Sequence, residues 1–179
     1  MKQTTWLILI VAVLVIAIDQ LSKYLVAIAL PVGGVWSPLP GENPVVQIAH
    51  ATNTGVTFGL FKDLGLISVG IAVAVTGVII IYSRKLRNDQ KLTCVSLGLM
   101  LGGAIGNAID RIRLGHVIDF LDVGIGATRW YTSNVADIAI VSGVILLGLA
   151  TLLDERKHRR SKSDQCHPTG SGEAPQAME

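Results

Sequence analysis

Four long apolar runs alternate with polar, turn-rich segments along this chain, covering about residues 6–30, 64–83, 92–112 and 134–153. Each is close to the roughly 18 to 25 residues that an α-helix needs to cross a bilayer, so the pattern predicts four spanning helices. The first run has a second reading as a removed leader, since Lys2 precedes it and Ala27-Ile28-Ala29 resembles a small-residue cleavage site. Asp19 and Lys23 interrupt the run before that site, and three further spans would remain, so a retained helix is the better reading. Between the first two runs stand Pro31, Gly33, Gly34, Pro38, Pro40, Gly41, Asn43 and Pro44, followed by the extended-looking Val45-Val46-Gln47-Ile48-Ala49-His50, which predicts a small β element. Gly115 should end the third helix and leave Asp119 on the turn that follows.

Composition strengthens the membrane reading. The 179 residues are 50% hydrophobic and 16% charged, with a mean hydropathy of +0.54, too apolar for an ordinary soluble domain of this length. The net charge of +2 matters less than where the charges sit. Arg84, Lys85, Arg87 and Lys91 crowd the link between the second and third runs, and Arg156, Lys157, Arg159, Arg160 and Lys162 follow the fourth. Short loops rich in lysine and arginine stay in the cytoplasm, so both termini are expected there, with residues 31–63 and 113–133 on the outer face. Trp130 and Tyr131 in that second outer segment suit a membrane-water boundary. The chain is thus expected to be one membrane domain over residues 1–153, followed by a polar, disordered cytoplasmic tail over 154–179. Cys94 and Cys166 lie at different expected depths and predict no disulfide; no metal-ligand spacing of Cys and His occurs.

Against this background the carboxylates stand out. An ionisable group at the centre of a membrane helix costs roughly 3 kcal/mol or more, so it persists where it is paired, faces a polar cavity, or does chemistry. Asp119 and Asp137 lie at the same end of neighbouring runs, and Asn134 and Asp137 share one face at the start of the fourth helix, where the helix dipole is positive. Two carboxylates brought to hydrogen-bonding distance share a proton, an arrangement ready for acid-base hydrolysis with water as nucleophile. In the third helix Gly103, Gly106, Asn107 and Asp110 fall on one face, where small residues admit a close neighbour and Asn107, Asp110 and Arg111 form a polar scaffold. Asp122 reads as a solvated loop residue, and His50 and His116 acquire no role. Asp19 and Lys23 are spaced i, i+4 and predict an ion pair at the membrane edge, with Gln20 and Lys23 reaching toward lipid headgroups. Asn53-Thr54-Gly55-Val56-Thr57-Phe58-Gly59 is, on spacing alone, a glycine-rich turn into the second helix.

Taken together, these stretches resemble signal peptidase II, the bacterial lipoprotein signal peptidase family. Four blocks carry the resemblance in order: Asp19-Gln20-Leu21-Ser22-Lys23; Asn53-Thr54-Gly55 with Phe58-Gly59; the Gly102 to Arg111 stretch with Gly115-His116-Val117-Ile118-Asp119-Phe120; and Asn134-Val135-Ala136-Asp137. The resemblance implies an all-α membrane fold of four transmembrane helices, a small extracytoplasmic β cradle over about residues 32–61, and a mobile helical segment between Gly115 and Ser133. It further implies that Asp119 and Asp137 are the catalytic aspartates. Asn53 and Asn134 would orient the substrate backbone, with Asn107, Asp110 and Arg111 in support, and Asp19, Gln20, Lys23, Gly55 and Phe58 around the site. The substrate would be a diacylglyceryl-modified prolipoprotein cut before its lipidated cysteine, with membrane phospholipid as neighbour, no metal or other cofactor, and no nucleic-acid partner. The cyclic peptide globomycin would be an inhibitor, and the location would be the bacterial inner membrane with the site facing outward. Val56 and Thr57 replace the family's usual alanines and Ser133 a usual phenylalanine, departures that bear on pocket shape and remove no reacting group.

Three rival functions make different demands. A proton- or ion-coupled transporter places its carboxylates near the midplane on broken helices, whereas these lie toward the outer ends. A metal-dependent lipid-headgroup transferase would use Asp110, Asp119, Asp122 and Asp137 as oxygen ligands and would be sensitive to chelators. A non-catalytic lipid-binding or assembly subunit would tolerate loss of one aspartate.

Overall fold

The computed structural model describes residues 2–38, 45–54, 64–125 and 128–166. Its elements in chain order are α1 (Gln3–Ala29), β1 (Val35–Trp36), β2 (Val46–Asn53), α2 (Leu64–Ser83), α3 (Lys91–Leu114), β3 (Val117–Ile125), β4 (Thr128–Arg129) and α4 (Val135–Cys166). The fold is mostly helical with one small antiparallel sheet. α1, α3 and the Val135–Lys157 part of α4 are long and apolar enough to cross a membrane, while α2 carries a shorter apolar stretch, Val69–Ser83.

The burial of α1 is the reverse of a soluble helix. Thr4, Ile8, Ala12, Val15, Asp19, Lys23 and Val26 are buried, which is one stripe at steps of four and three, while Leu9, Val13, Leu14, Ile18, Leu21 and Leu25 are exposed. Hydrocarbon outside and charge inside is the arrangement that lipid demands. Ile8 and Ala12 meet Leu97, Leu101 and Cys94 of α3, together with Ile79 of α2 and Leu86 beyond it.

α3 is the central helix, flanked by α1 and α4 and more lightly by α2. Its small residues let the neighbours close in. A Cβ on Gly103 would fall against the Ala136 carbonyl oxygen and 2.7 Å from Ile140 Cγ1, and one on Gly106 would lie 2.8 Å from Asp19 Oδ2. Gly103→Ala is therefore expected to destabilise the fold by about 1–3 kcal/mol, the usual cost of overpacking. Thermal unfolding in detergent would read this as a lowered midpoint, and an unchanged midpoint would mean that α3 and α4 leave room for a methyl group at Gly103.

α3 ends at Leu114, where Gly115 takes a left-handed φ of 77° and its N–H donates to the Arg111 carbonyl at 3.0 Å. The chain that follows is not the helix implied by the family resemblance. Val117–Ile125 is a strand, pairing antiparallel with β2 through Asn53↔Val117, Thr52↔Ile118 and Ala51↔Asp119, then through Ile48↔Leu121 after a bulge. The β-branched and aromatic run Val117-Ile118-Asp119-Phe120 favours a strand once β2 offers a pairing edge. The sheet order is β1-β2-β3-β4, so the β element expected over residues 32–61, of which 39–44 and 55–61 lie outside the described residues, also takes in Val117–Ile125 and Thr128–Arg129.

α4 continues past Leu153 to Cys166 where a disordered tail was expected from Asp154. No glycine or proline interrupts the chain between Gly148 and Pro168, so the spanning helix has no backbone signal to stop at the membrane edge. Residues 167–179 lie outside the described residues.

Candidate active site

The site is assembled at the start of α4. Asn134 caps the helix, its side-chain Oδ1 accepting the backbone N–H of Asp137 at 2.9 Å. The next free N–H, that of Ala136, donates to Asp19 Oδ1 from α1, also at 2.9 Å. The chain before the cap is tied to β3: Phe120 and Leu121 both donate to the Ser133 carbonyl at 2.8 Å, and Ser133 donates back to Leu121 at 3.0 Å. Those bonds bring the fully buried Asn134 beside Asp119, where its Nδ2 donates to Oδ1 at 2.6 Å. One asparagine thus joins the Asp119 carboxylate to the Asp137 backbone.

Two further amides complete the contacts. Asn53, at the end of β2, donates to the other oxygen of Asp119 at 2.9 Å, and Asn107 of α3 donates to Asp137 Oδ1 at 2.7 Å. Burial pushes the Asp119 carboxyl above the ordinary carboxylate range. The donors Asn53 and Asn134 oppose that rise, the negative charge of Asp137 adds to it, and Lys23 opposes it. Tyr131, though 72% exposed, has its phenol raised by partial desolvation and then by Asp119 and Asp137, against the pull of Arg111. The tyrosine therefore lies within electrostatic reach of both carboxylates. Removing the Asn53 donor should let Asp119 hold a proton to higher pH. Asn53→Leu is accordingly expected to move the pH profile of kcat upward, and a profile that stays in place would show that this amide does not act on Asp119.

Behind the carboxylates lies a buried ionic network that keeps the expected Asp19–Lys23 ion pair but sets it in the interior of the bundle and not at its edge. Lys23 is 2% exposed and Asp19 0%, so Lys23 does not reach toward lipid headgroups as expected, and the half-buried Gln20 turns its amide inward. The Lys23 ammonium contacts Asp19 Oδ2 at 2.8 Å, Asp110 Oδ2 at 2.7 Å and Asn107 Oδ1 at 3.0 Å. Gln20 donates to Asp110 Oδ1 at 2.9 Å. The pairing turns inward because a lysine two turns from the end of an apolar helix has better partners on α3 than at the lipid boundary.

Other expected site residues are placed less centrally or not at all. Arg111 donates from Nη1 to the Asn107 carbonyl at 3.3 Å, and its buried Nε has no partner among the described residues. Gly55 and Phe58, with Val56 and Thr57, lie outside the described residues. Asp122 is no solvated loop residue: it takes both Nε and Nη2 of Arg129 at 3.0 to 3.1 Å. His50, given no role by its sequence context, is buried and bonds through Nδ1 to the Leu30 carbonyl at 2.8 Å, fastening β2 to the end of α1. Among the described residues no three His, Cys, Asp or Glu side chains converge as metal ligands; Asp110 and Asp122 are each engaged by a cation. The sequence signal missed was Asp19-Gln20 with Lys23, since three polar side chains within five residues of a spanning helix require a shared interior partner.

Beside the site, Phe120 follows Asp119 directly and lines a groove of about 430 Å³ with Leu25, Val26, Leu30, Trp36 and Ile48. Its walls are almost wholly hydrocarbon.

Comparison with known proteins matches residues 11–153 to the profile of a family described as Signal peptidase (SPase) II. A lipoprotein signal peptidase of Moorella thermoacetica is 43% identical over 145 residues, 81% of this chain and 92% of that one. A lipoprotein signal peptidase of Geobacter metallireducens is 38% identical over 163 residues, 89% of this chain and 99% of its own length. Among solved structures, a bacterial membrane enzyme determined by the in meso method at 1.9 Å superposes with a TM-score of 0.73 at 28% identity, covering 81% of this chain and 92% of that one.

Proposed function

The chain belongs to the signal peptidase II family, and on that premise we propose that Asp119 and Asp137 are the two carboxylates with which it cleaves signal peptides from prolipoproteins. It is a membrane-embedded bacterial aspartyl protease. The observation that supports the assignment is the Asn134 bridge, in which one side chain donates to the buried Asp119 carboxylate on β3 and accepts the backbone N–H of Asp137 in the first turn of α4.

In this reading the dyad holds one proton between its members. The ionised member takes a proton from water as the oxygen attacks the scissile carbonyl, and the protonated member donates to the developing oxyanion. Collapse of that intermediate expels the amine of the new N-terminus, which takes up a proton. The bond cut is the one before a diacylglyceryl-bearing cysteine. Such a bond lies at the membrane surface, the depth at which α4 begins and α3 ends. The hydrocarbon groove beside Phe120 suits one acyl chain of that diacylglyceryl group.

The same reading places both termini in the cytoplasm, because the basic residues of the α2–α3 link and of α4 mark that side. Lys2 Nζ donates to the Arg84 carbonyl at 2.9 Å, consistent with the start of α1 and the α2–α3 link sharing one face. α2 is read as a fourth span, surrounding phospholipid as the solvent of the bundle, and globomycin as an inhibitor. The test is a gel-shift assay on a diacylglyceryl-modified prolipoprotein with purified protein, with and without EDTA. Cleavage is expected and is expected to survive the chelator. Loss of cleavage with EDTA would favour the metal-dependent alternative.

A further inference from the structure

Lys23 is too deeply buried for a membrane-edge pair and too well connected for a packing residue. An ammonium has three N–H groups and no acceptor, and here all three have targets: Asp19, Asp110 and Asn107. The two carboxylates would be enough to neutralise the lysine. The third contact has a different consequence, because the side-chain amide of Asn107 has an accepting end and a donating end.

Whichever atom of Asn107 faces a lysine ammonium must be the oxygen, since a donor there would oppose a donor. The opposite atom is then the NH₂ group, and it lies 2.7 Å from Asp137 Oδ1. Lys23 thereby selects one of two amide orientations. In the other, Asn107 would present an oxygen to a carboxylate oxygen. The lysine itself is held by both ends of the network. Asp19 accepts from the Ala136 backbone at the start of α4, and Gln20 donates to Asp110, so α1, α3 and α4 all brace it.

We propose that Lys23 is a positioning residue for the hydrolysis, acting through Asn107 to hold the Asp137 carboxylate in its reacting orientation. This rests on the dyad assignment above. Lys23 is 2% exposed and its ammonium is bonded to Asp19, Asp110 and Asn107, not to Asp119 or Asp137, so its loss should lower turnover without weakening substrate binding.

Replacing Lys23 alone leaves two buried carboxylates without a cation, so the informative variant is Lys23→Met/Asp110→Asn. One cation and two anions become a single anion, and the network keeps its net charge. Its kcat on a diacylglyceryl prolipoprotein is expected to fall about 10- to 100-fold, the span carried by an orienting hydrogen bond to a charged group, with KM within about twofold. Lys23→Gln/Asp110→Asn restores an N–H donor at position 23 without restoring charge, and should recover part of the lost kcat. Equal kcat for the Met and Gln variants would overturn the proposal, as would an effect confined to KM. Asn107→Leu leaves the lysine between its two carboxylates and serves if the double variants do not fold; a kcat within twofold of wild type would overturn the proposal on its own. The dyad is checked separately: turnover retained by Asp137→Asn would refute the dyad, whereas an inert Asp137→Asn beside an unaffected Asn107→Leu would refute only the role of Lys23.

Discussion

Asp137→Asn is expected to lose at least about 10³-fold in cleavage of a diacylglyceryl-modified prolipoprotein while leaving the protein folded, the scale on which a positioned acid or base acts. Asparagine has nearly the shape of aspartate and can still offer its oxygen to the Asn107 amide that now donates to Oδ1. Its NH₂ then falls where Asp137 Oδ2 has no hydrogen-bond partner among the described residues, so none of these opposes the substitution. Asp119→Asn should be equally inert but not equally silent. Both oxygens of Asp119 accept from amide NH₂ groups, those of Asn53 and Asn134, so an NH₂ at either position meets another donor. The Asp119 variant should therefore melt lower than wild type and the Asp137 variant close to it. The measurement is the gel-shift assay paired with thermal unfolding of each variant. Appreciable turnover by folded Asp137→Asn would remove the dyad from the mechanism.

Lys23→Met, made alone, carries the largest expected effect on stability. It leaves Asp19 and Asp110, 0% and 2% exposed, facing each other in the bundle without their cation. Breaking a buried ion pair by removing one partner costs about 3–5 kcal/mol, because the remaining charge stays desolvated. The same principle predicts the direction of the companion change. Adding Asp110→Asn to Lys23→Met removes one of the stranded anions and should return part of the loss, the non-additivity that two residues of one ion-pair network show. Thermal or denaturant unfolding in detergent would read both. A single variant as stable as wild type would mean that the network is better hydrated than its burial indicates.

The two predictions separate the roles of one connected set of side chains. Asp119 and Asp137 are argued to react, and their neighbours to hold them. The α4 cap is where these roles meet, since Asp19 of the ionic network and Asn134, which donates to Asp119, each accept one of the first free N–H groups of the same helix. A helix start with its donors satisfied by α1 and by its own cap fixes Asp137 relative to α3, which a loop could not do to the same tolerance.

Membrane embedding and helix positions were legible along the chain because they depend on local quantities. A run of apolar residues of spanning length predicts a helix wherever it occurs, and α1, α2 and α3 begin and end within a few residues of the expected bounds. The carboxylates stood out for the same reason, as charges in segments where charge is costly. Whether a residue pairs with a distant partner is a different kind of quantity. Val117–Ile125 is a strand because β2, more than sixty residues earlier, presents an edge in register, and nothing within the segment specifies that edge. Lys23 turns inward because Asp110 and Asn107 wait on α3, though its spacing from Asp19 fits a surface pair equally well. The length of α4 lay between the two: composition suggested where order should stop, but only glycine or proline would have stopped it. Sequence alone thus determined the solvent this protein lives in, its long apolar helices and the residue types available for chemistry. Tertiary structure decided which of those residues face each other, since hydrogen bonds and ion pairs form between elements whose proximity no local pattern encodes.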